Sequence, residues 1–211
     1  MATLSRRTLA RRLEDVDDFA EPTASLEQYL TPADLAAHIC HLAGLHDDLN
    51  RPVVDLGTGT GMLAIGAALA GAGCVVGVDV DRDAITLAAR NARRVAGPGA
   101  IEWLRGDVTR HPLSVRDATV VSNPPFGAQR GNRHADRAFL ESAVEIASVS
   151  YTIHNEGSQS FVDAFADDHG GTVTHAFRAP LPIENRFAFH TESEQTIEAE
   201  VFRIEWPDER R

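Results

Sequence analysis

The sequence predicts an α/β protein with a seven-stranded, mostly parallel sheet, helices on both faces and a C-terminal antiparallel hairpin. Three observations carry this. Short apolar strands alternate with helices from Val53 to Asp167, the pattern of a parallel sheet built from crossover units. A glycine-rich turn directly follows the first of those strands. Two alternating segments, Thr172 to Arg178 and Thr196 to Trp206, close the chain and read as the hairpin.

Each element has a local cause. Leu9, Leu13 and Val16 recur at helical spacing in an Arg- and acid-rich setting, so residues 3–16 read as an amphipathic helix. Thr31 is a candidate cap and Pro32 suits a first turn, opening a helix to about Ala43. Val53 to Leu56 is a short buried strand. A helix then runs to about Leu69, a strand from Cys74 to Val80 and a helix from Asp83 to Arg94. Ile101 to Leu104 and Ala118 to Ser122 are further strands. Asp136 to Ala147 reads as helix, Val149 to Ile153 as strand and Ser158 to Asp167 as helix.

The chain has 211 residues, which suits one domain. A helical extension, residues 1–50, is expected to pack on a core of residues 51–211. No apolar stretch follows Met1 to Arg7, and the uncharged run from Met62 to Val78 is broken by four glycines. A cytoplasmic protein without a membrane span is therefore expected. Cys40 and Cys74 are too far apart for a paired motif and read as two buried thiols. The nine histidines show no metal-ligand spacing, so no metal site is expected. Acidic residues number 31 against 20 basic ones, a net of −11, and every basic residue is Arg. Such a surface resembles that of a protein from a salt-loaded cytoplasm. It argues against a simple basic groove for nucleic acid, an objection that weakens where salt screens charge over about 3 Å.

Asp55-Leu56-Gly57-Thr58-Gly59-Thr60-Gly61 lies between a buried strand and a helix. The first glycine permits a tight turn, and the later ones let backbone approach a ligand. Asp79 closes the next strand, where an acid can hydrogen-bond a ribose diol, and Asp107 follows the third. In a parallel sheet these strand ends share one rim. Asp55 disfavours a pyrophosphate there and suits a sulfonium with an amino-acid ammonium. This block resembles motif I of the class I S-adenosylmethionine-dependent methyltransferases, which have a Rossmann-like fold.

Asn123-Pro124-Pro125-Phe126 directly follows the fourth strand. An aromatic amino nitrogen is a poor nucleophile because its lone pair is delocalised. Two acceptors that hold its hydrogens favour pyramidalisation toward a methyl donor. The Asn123 side-chain oxygen and the Pro124 carbonyl can be those acceptors. The two prolines stiffen the backbone, and Phe126 offers a ring on which a base can stack. The motif resembles that of amino methyltransferases acting on adenine or on protein Gln amides. Phe in the fourth place is common in the RNA enzymes.

Glu27-Gln28-Tyr29-x-Thr31, the glycine-rich turn, Asn123 to Gly127, Tyr151-x-x-His154 and Phe189-His190 together are similar to one family. It is that of methyltransferase-like protein five, the small-subunit ribosomal RNA adenine methyltransferases, and the chain resembles an archaeal relative. The resemblance implies N(6)-methyladenosine in RNA as product and S-adenosylmethionine as cofactor. It implies cofactor contacts at Gln28, Thr31, Gly57, Thr60, Met62, Asp79, Asp107 and Val108, to which the loop reading adds Asp55 and Gly59. It implies a small zinc-binding methyltransferase-activator protein pairing with an edge strand at Ile101 to Leu104. Ile101 and Trp103, alternating onto one face, are expected to offer that partner an apolar surface. Thr191 to Glu194 is acidic where relatives are Lys-rich, which bears on RNA docking.

Other readings stay open. The chain could methylate a Gln amide in a protein, or serve ribosome assembly as a non-catalytic cofactor-binding scaffold. Gln129 to His134 could be a surface loop or a gate over the target base. His154 and His190 read as structural or RNA-facing groups. Arg6, Arg7, Arg11 and Arg12 read as a solvated face, with RNA contact the alternative. Phe19 could cover the site.

Overall fold

The computed structural model describes residues 4–111, 113–126, 135–184 and 194–207. It has thirteen principal elements: α1 (Arg6–Leu13), α2 (Ala33–Leu45), β1 (Val53–Leu56), α3 (Met62–Ala70), β2 (Val75–Asp79), α4 (Arg82–Val95), β3 (Glu102–Arg105), β4 (Ala118–Ser122), α5 (Ala135–Ile146), β5 (Ala147–Asn155), α6 (Gln159–Asp168), β6 (Thr172–Glu184) and β7 (Glu194–Glu205). One seven-stranded sheet runs in the order β3-β2-β1-β4-β5-β7-β6. Strands β1 to β5 are parallel, and β7 runs antiparallel between β5 and β6. The expected sheet and hairpin are present, and the strand order reverses between β1 and β4.

Two apolar layers sandwich the sheet. Leu9 and Leu13 of α1, Ile39 of α2 and Ile65 of α3 share one core with Tyr151, Ile153 and Val201 of the sheet. Leu140 of α5, and Val162 and Phe165 of α6, share the other with Val54, Leu56, Phe202 and Ile204. The N-terminal helices thus pack on the same core as α3. Arg6, Arg7, Arg11 and Arg12 are exposed, and Arg12 donates to the Val95 carbonyl.

Burial also recruits polar groups. Asp48, in a 3₁₀ turn before β1, lies 2.9 Å from Arg203 of β7 and accepts the Tyr151 hydroxyl at 2.6 Å. Arg203 is 5% exposed and Asp48 2%. β7 is a strand of the expected terminal hairpin, and it also lies inside the sheet, between β5 and β6, with both faces covered. A charged residue there survives only with partners.

Four expectations need correction. Thr31 caps nothing: Pro32 is the N-cap of α2 and no side chain bonds the first turn. Cys40 is buried but Cys74 is exposed, because it precedes β2 rather than lying in it. The third strand begins at Glu102, leaving Ile101 just outside it and 6% exposed. Trp103 is only partly exposed, for its ring lies over Gly77 and beside Gly61. Glycine leaves the space that the indole fills. No helix among the described residues is long and apolar enough to cross a membrane; the uncharged run becomes α3, a turn and β2.

Candidate active site

The reversal of strand order puts the loops after β1 and β4 side by side, since Leu56 pairs with Ser122. Ligands of open α/β sheets bind in such a crevice, beyond the carboxyl ends of the strands. A cavity of about 490 Å³ lies there, within the range of small-molecule sites. Gln28, Gly57, Gly59, Asp79, Asp107 and Val108 line it, and so do all four residues from Asn123 to Phe126.

The glycine loop adopts the backbone that the sequence implies, with Gly57 at φ 69° and Gly59 at φ 53°. Two carboxylates hold it. Asp79 accepts the Gly59 N–H at 2.8 Å and, through its other oxygen, the Asp81 N–H at 2.9 Å. Burial raises the pKa of Asp79 above the ordinary carboxylate value, against these bonds. Asp55 accepts the Thr58 hydroxyl at 2.7 Å and the Ala64 N–H at 2.9 Å, and burial pushes it up to about 7. Asp55 does not line the cavity and is 1% exposed. The expectation that it faces a cationic ligand is therefore corrected: its carboxylate is turned into the loop that it braces. Thr31, Thr60 and Met62 are likewise buried away from the cavity lining. The Thr60 carbonyl accepts from Asn91 at 3.0 Å, and Met62 belongs to the α-helical core.

Around the rim, Gln28 donates to Asp81 at 2.8 Å and accepts the Thr23 N–H at 2.8 Å. Asp81 also caps α4 through the Asp83 N–H. Asp107 accepts the N–H and hydroxyl of Thr109, at 2.9 and 2.8 Å, and those bonds hold its pKa below the usual value. Val80 is half exposed and lines the cavity, giving an apolar wall beside the Asp79 carboxylate.

On the other side of the crevice, Asn123 donates from Nδ2 to Thr31 Oγ1 at 3.0 Å. Its Oδ1 is buried and has no partner among the described residues. An orphaned buried acceptor calls for an explanation, and a ligand donor is one. Asn155, at the end of β5, donates to the Phe126 carbonyl at 3.2 Å and so ties the far end of the motif. His154 is buried, lies 2.9 Å from the Thr152 hydroxyl and packs edge-on against Phe202. Burial lowers its pKa to about 4, so it is a neutral core group at neutral pH.

Residues 127–134 and Phe189, His190 and Thr191 lie outside the described residues, and with them the loop from Gln129 to His134. Tyr29, Phe139 and Asn155 belong to the site and had no assigned part in it from sequence. Phe139 is one apolar position of an amphipathic helix, which gave no hint of a cavity. Phe19 does reach the site: a Cβ on Gly59 would lie 3.2 Å from its ring.

Comparison with known proteins agrees with this geometry. Residues 34–150 match the methyltransferase small domain. The chain is 33% identical to the rRNA N(6)-adenosine-methyltransferase Mettl5 of Drosophila melanogaster, over 97% of this chain and 98% of that one. It is 36% identical to an uncharacterized protein of Methanocaldococcus jannaschii, over 96% and 94%. A crystal structure assigned as an RNA methyltransferase of Pyrococcus horikoshii superposes with a TM-score of 0.85 at 36% identity, over 96% and 98% of the two chains. The chain belongs to the methyltransferase small domain family, S-adenosylmethionine-dependent enzymes of Rossmann-like fold.

Proposed function

We propose that this enzyme methylates the exocyclic amino group of adenine in RNA, with small-subunit ribosomal RNA as the substrate. The observation that carries this reading is the buried Oδ1 of Asn123 on the wall of the cavity, without a partner among the described residues. Near-full-length relatives named rRNA N(6)-adenosine-methyltransferases support it, and Phe126 in the fourth place of the motif favours a base over a protein amide.

The residues present suit the cofactor. Asp79, beside the apolar wall of Val80, can take ribose hydroxyls, and Asp107 and Val108 can take the adenine. The carboxylates of Asp79 and Asp107 favour a cationic ligand. When bound, S-adenosylmethionine supplies an electrophilic methyl group. The protein's part is orientation. Asn123 Oδ1 and the Pro124 carbonyl accept the two amino hydrogens, which draws the nitrogen lone pair out of conjugation. Phe126 stacks on the base. The amino group loses its proton after it has gained the methyl group, so no strong base is needed beforehand.

Asn123→Ala should abolish methyl transfer to ribosomal RNA while leaving cofactor affinity within about twofold. Transfer is read with labelled cofactor on RNA and on small subunits, and affinity by calorimetry. A variant that kept most of its activity would sink the reading.

We further propose that β3 receives the zinc-binding activator by strand addition. β3 is an edge of the sheet, and an edge offers unpaired backbone groups. With Trp103 partly covered by Gly77 and Gly61, the backbone edge carries most of this interface. The Gly106 N–H donates to the Asp79 carbonyl. By alternation, the Trp103 and Arg105 N–H groups point away from β2. Arg105→Pro should therefore abolish a one-to-one complex on co-expression and size-exclusion chromatography. A fully active monomer that ignores the activator would end this proposal.

A further inference from the structure

We propose that Thr31 is a positioning residue that holds the Asn123 amide by its nitrogen end, so that the oxygen is presented to the target amino group. The inference rests on the reading of Asn123 as an acceptor. A side-chain amide has two ends of nearly equal size and opposite hydrogen-bonding character. With the ends exchanged, an NH2 group would confront the amino hydrogens of the base, and donor would meet donor. A contact that holds the nitrogen end fixes the amide in the productive arrangement.

That contact lies outside the cavity lining. Thr31 does not line the cavity and is buried, and it meets the catalytic motif at Asn123. Its Oγ1 lies 3.0 Å from Asn123 Nδ2, with 92 residues between them in sequence. The hydroxyl is free for this because it caps no helix: Pro32 takes the N-cap position of α2 and the first turn has no side-chain bond. The Nδ2 end is thus satisfied within the protein, while the Oδ1 end is buried and has no partner among the described residues. One end of the amide is held and the other is left for a ligand donor. The family resemblance implies a cofactor contact at Thr31, a role that acts on a different molecule and has a different readout.

Thr31→Val keeps the shape and removes the acceptor. It should lower kcat roughly 10- to 100-fold, with the RNA KM, the S-adenosylmethionine Kd and the melting temperature close to wild type. Thr31→Ser, which keeps the hydroxyl, should return kcat to within about threefold of wild type. Should the valine variant fail to fold by circular dichroism, Thr31→Ala carries the same test. Unchanged kcat in the variant lacking the hydroxyl would overturn the proposal. So would a weakened cofactor Kd with kcat intact, which would make Thr31 a cofactor contact alone. Asn123→Ala tells the two layers apart. If it retains activity, the acceptor reading itself fails; if it is dead while the Thr31 variants are unaffected, only the role of Thr31 fails.

Discussion

Phe139 on α5 occupies the space that a side chain at Gly57 would need: a Cβ on that glycine would lie 2.8 Å from the ring. Gly57 also has a backbone φ of 69°. Two independent constraints, one steric and one conformational, meet on the first glycine of the loop, and both Gly57 and Phe139 line the cavity.

Gly57→Ala should therefore weaken S-adenosylmethionine binding at least tenfold. The left-handed backbone alone costs a residue with a Cβ about 1–2 kcal/mol, and the contact with Phe139 adds to it. Pairing it with Phe139→Ala relieves the contact and leaves the strain, so the double variant should recover part of the affinity and no more. Calorimetric titration of the three variants decides this. Wild-type affinity in Gly57→Ala would mean that the loop shifts freely.

The buried pair of Asp48 and Arg203 gives a stability prediction. Asp48→Ala leaves the Arg203 guanidinium in the core with only the half-exposed Glu205 carboxylate beside it, a loss of at most about 3–5 kcal/mol. Adding Arg203→Met removes the stranded charge, so the double variant should be more stable than Asp48→Ala. Urea unfolding monitored by circular dichroism gives the comparison. A double variant less stable than the single one would show that Arg203 acts mainly through Thr174 and Glu205, its other partners.

His154 gives the pH dependence. Burial lowers its pKa from the ordinary 6.5 to about 4, so the unfolded chain takes up a proton at this residue at a higher pH than the folded one. The stability tied to neutral His154 is full above pH 6.5 and is lost as pH falls toward 4, by on the order of 2–3 kcal/mol. His154→Gln should remove that part of the slope. The difference in unfolding free energy between wild type and variant, followed from pH 7.5 to 4, isolates it from the other titrating groups. A constant difference would rule out burial of a neutral imidazole.

The site was legible in sequence wherever backbone makes it. Glycines at 57, 59 and 61, the acid closing β2 and the prolines of 124 and 125 act through backbone geometry or a strand end, and neighbours in sequence encode both. Legibility failed for side-chain direction. Asp55 stands at the end of β1 as expected, yet it points into the loop, because the Thr58 hydroxyl and the Ala64 N–H offer partners there. Trp103 alternates as expected, yet it turns inward, because Gly77 on the neighbouring strand leaves room for it. Thr31 has the type of a cap, yet Pro32 takes that position and Thr31 bonds Asn123.

The alternation of strands and helices, the glycine turn and the alternating C-terminal segments determined the architecture by themselves, since each is a periodicity or a backbone allowance written in adjacent residues. Contacts between distant segments were decided only when the sheet assembled. The pairing of β1 with β4 brings Gly57 beside Asn123. The placing of β7 inside the sheet buries Arg203, and the packing of α2 delivers Thr31 to the amide it holds. Such contacts depend on which strands become neighbours and which faces are covered, and no local pattern records that choice.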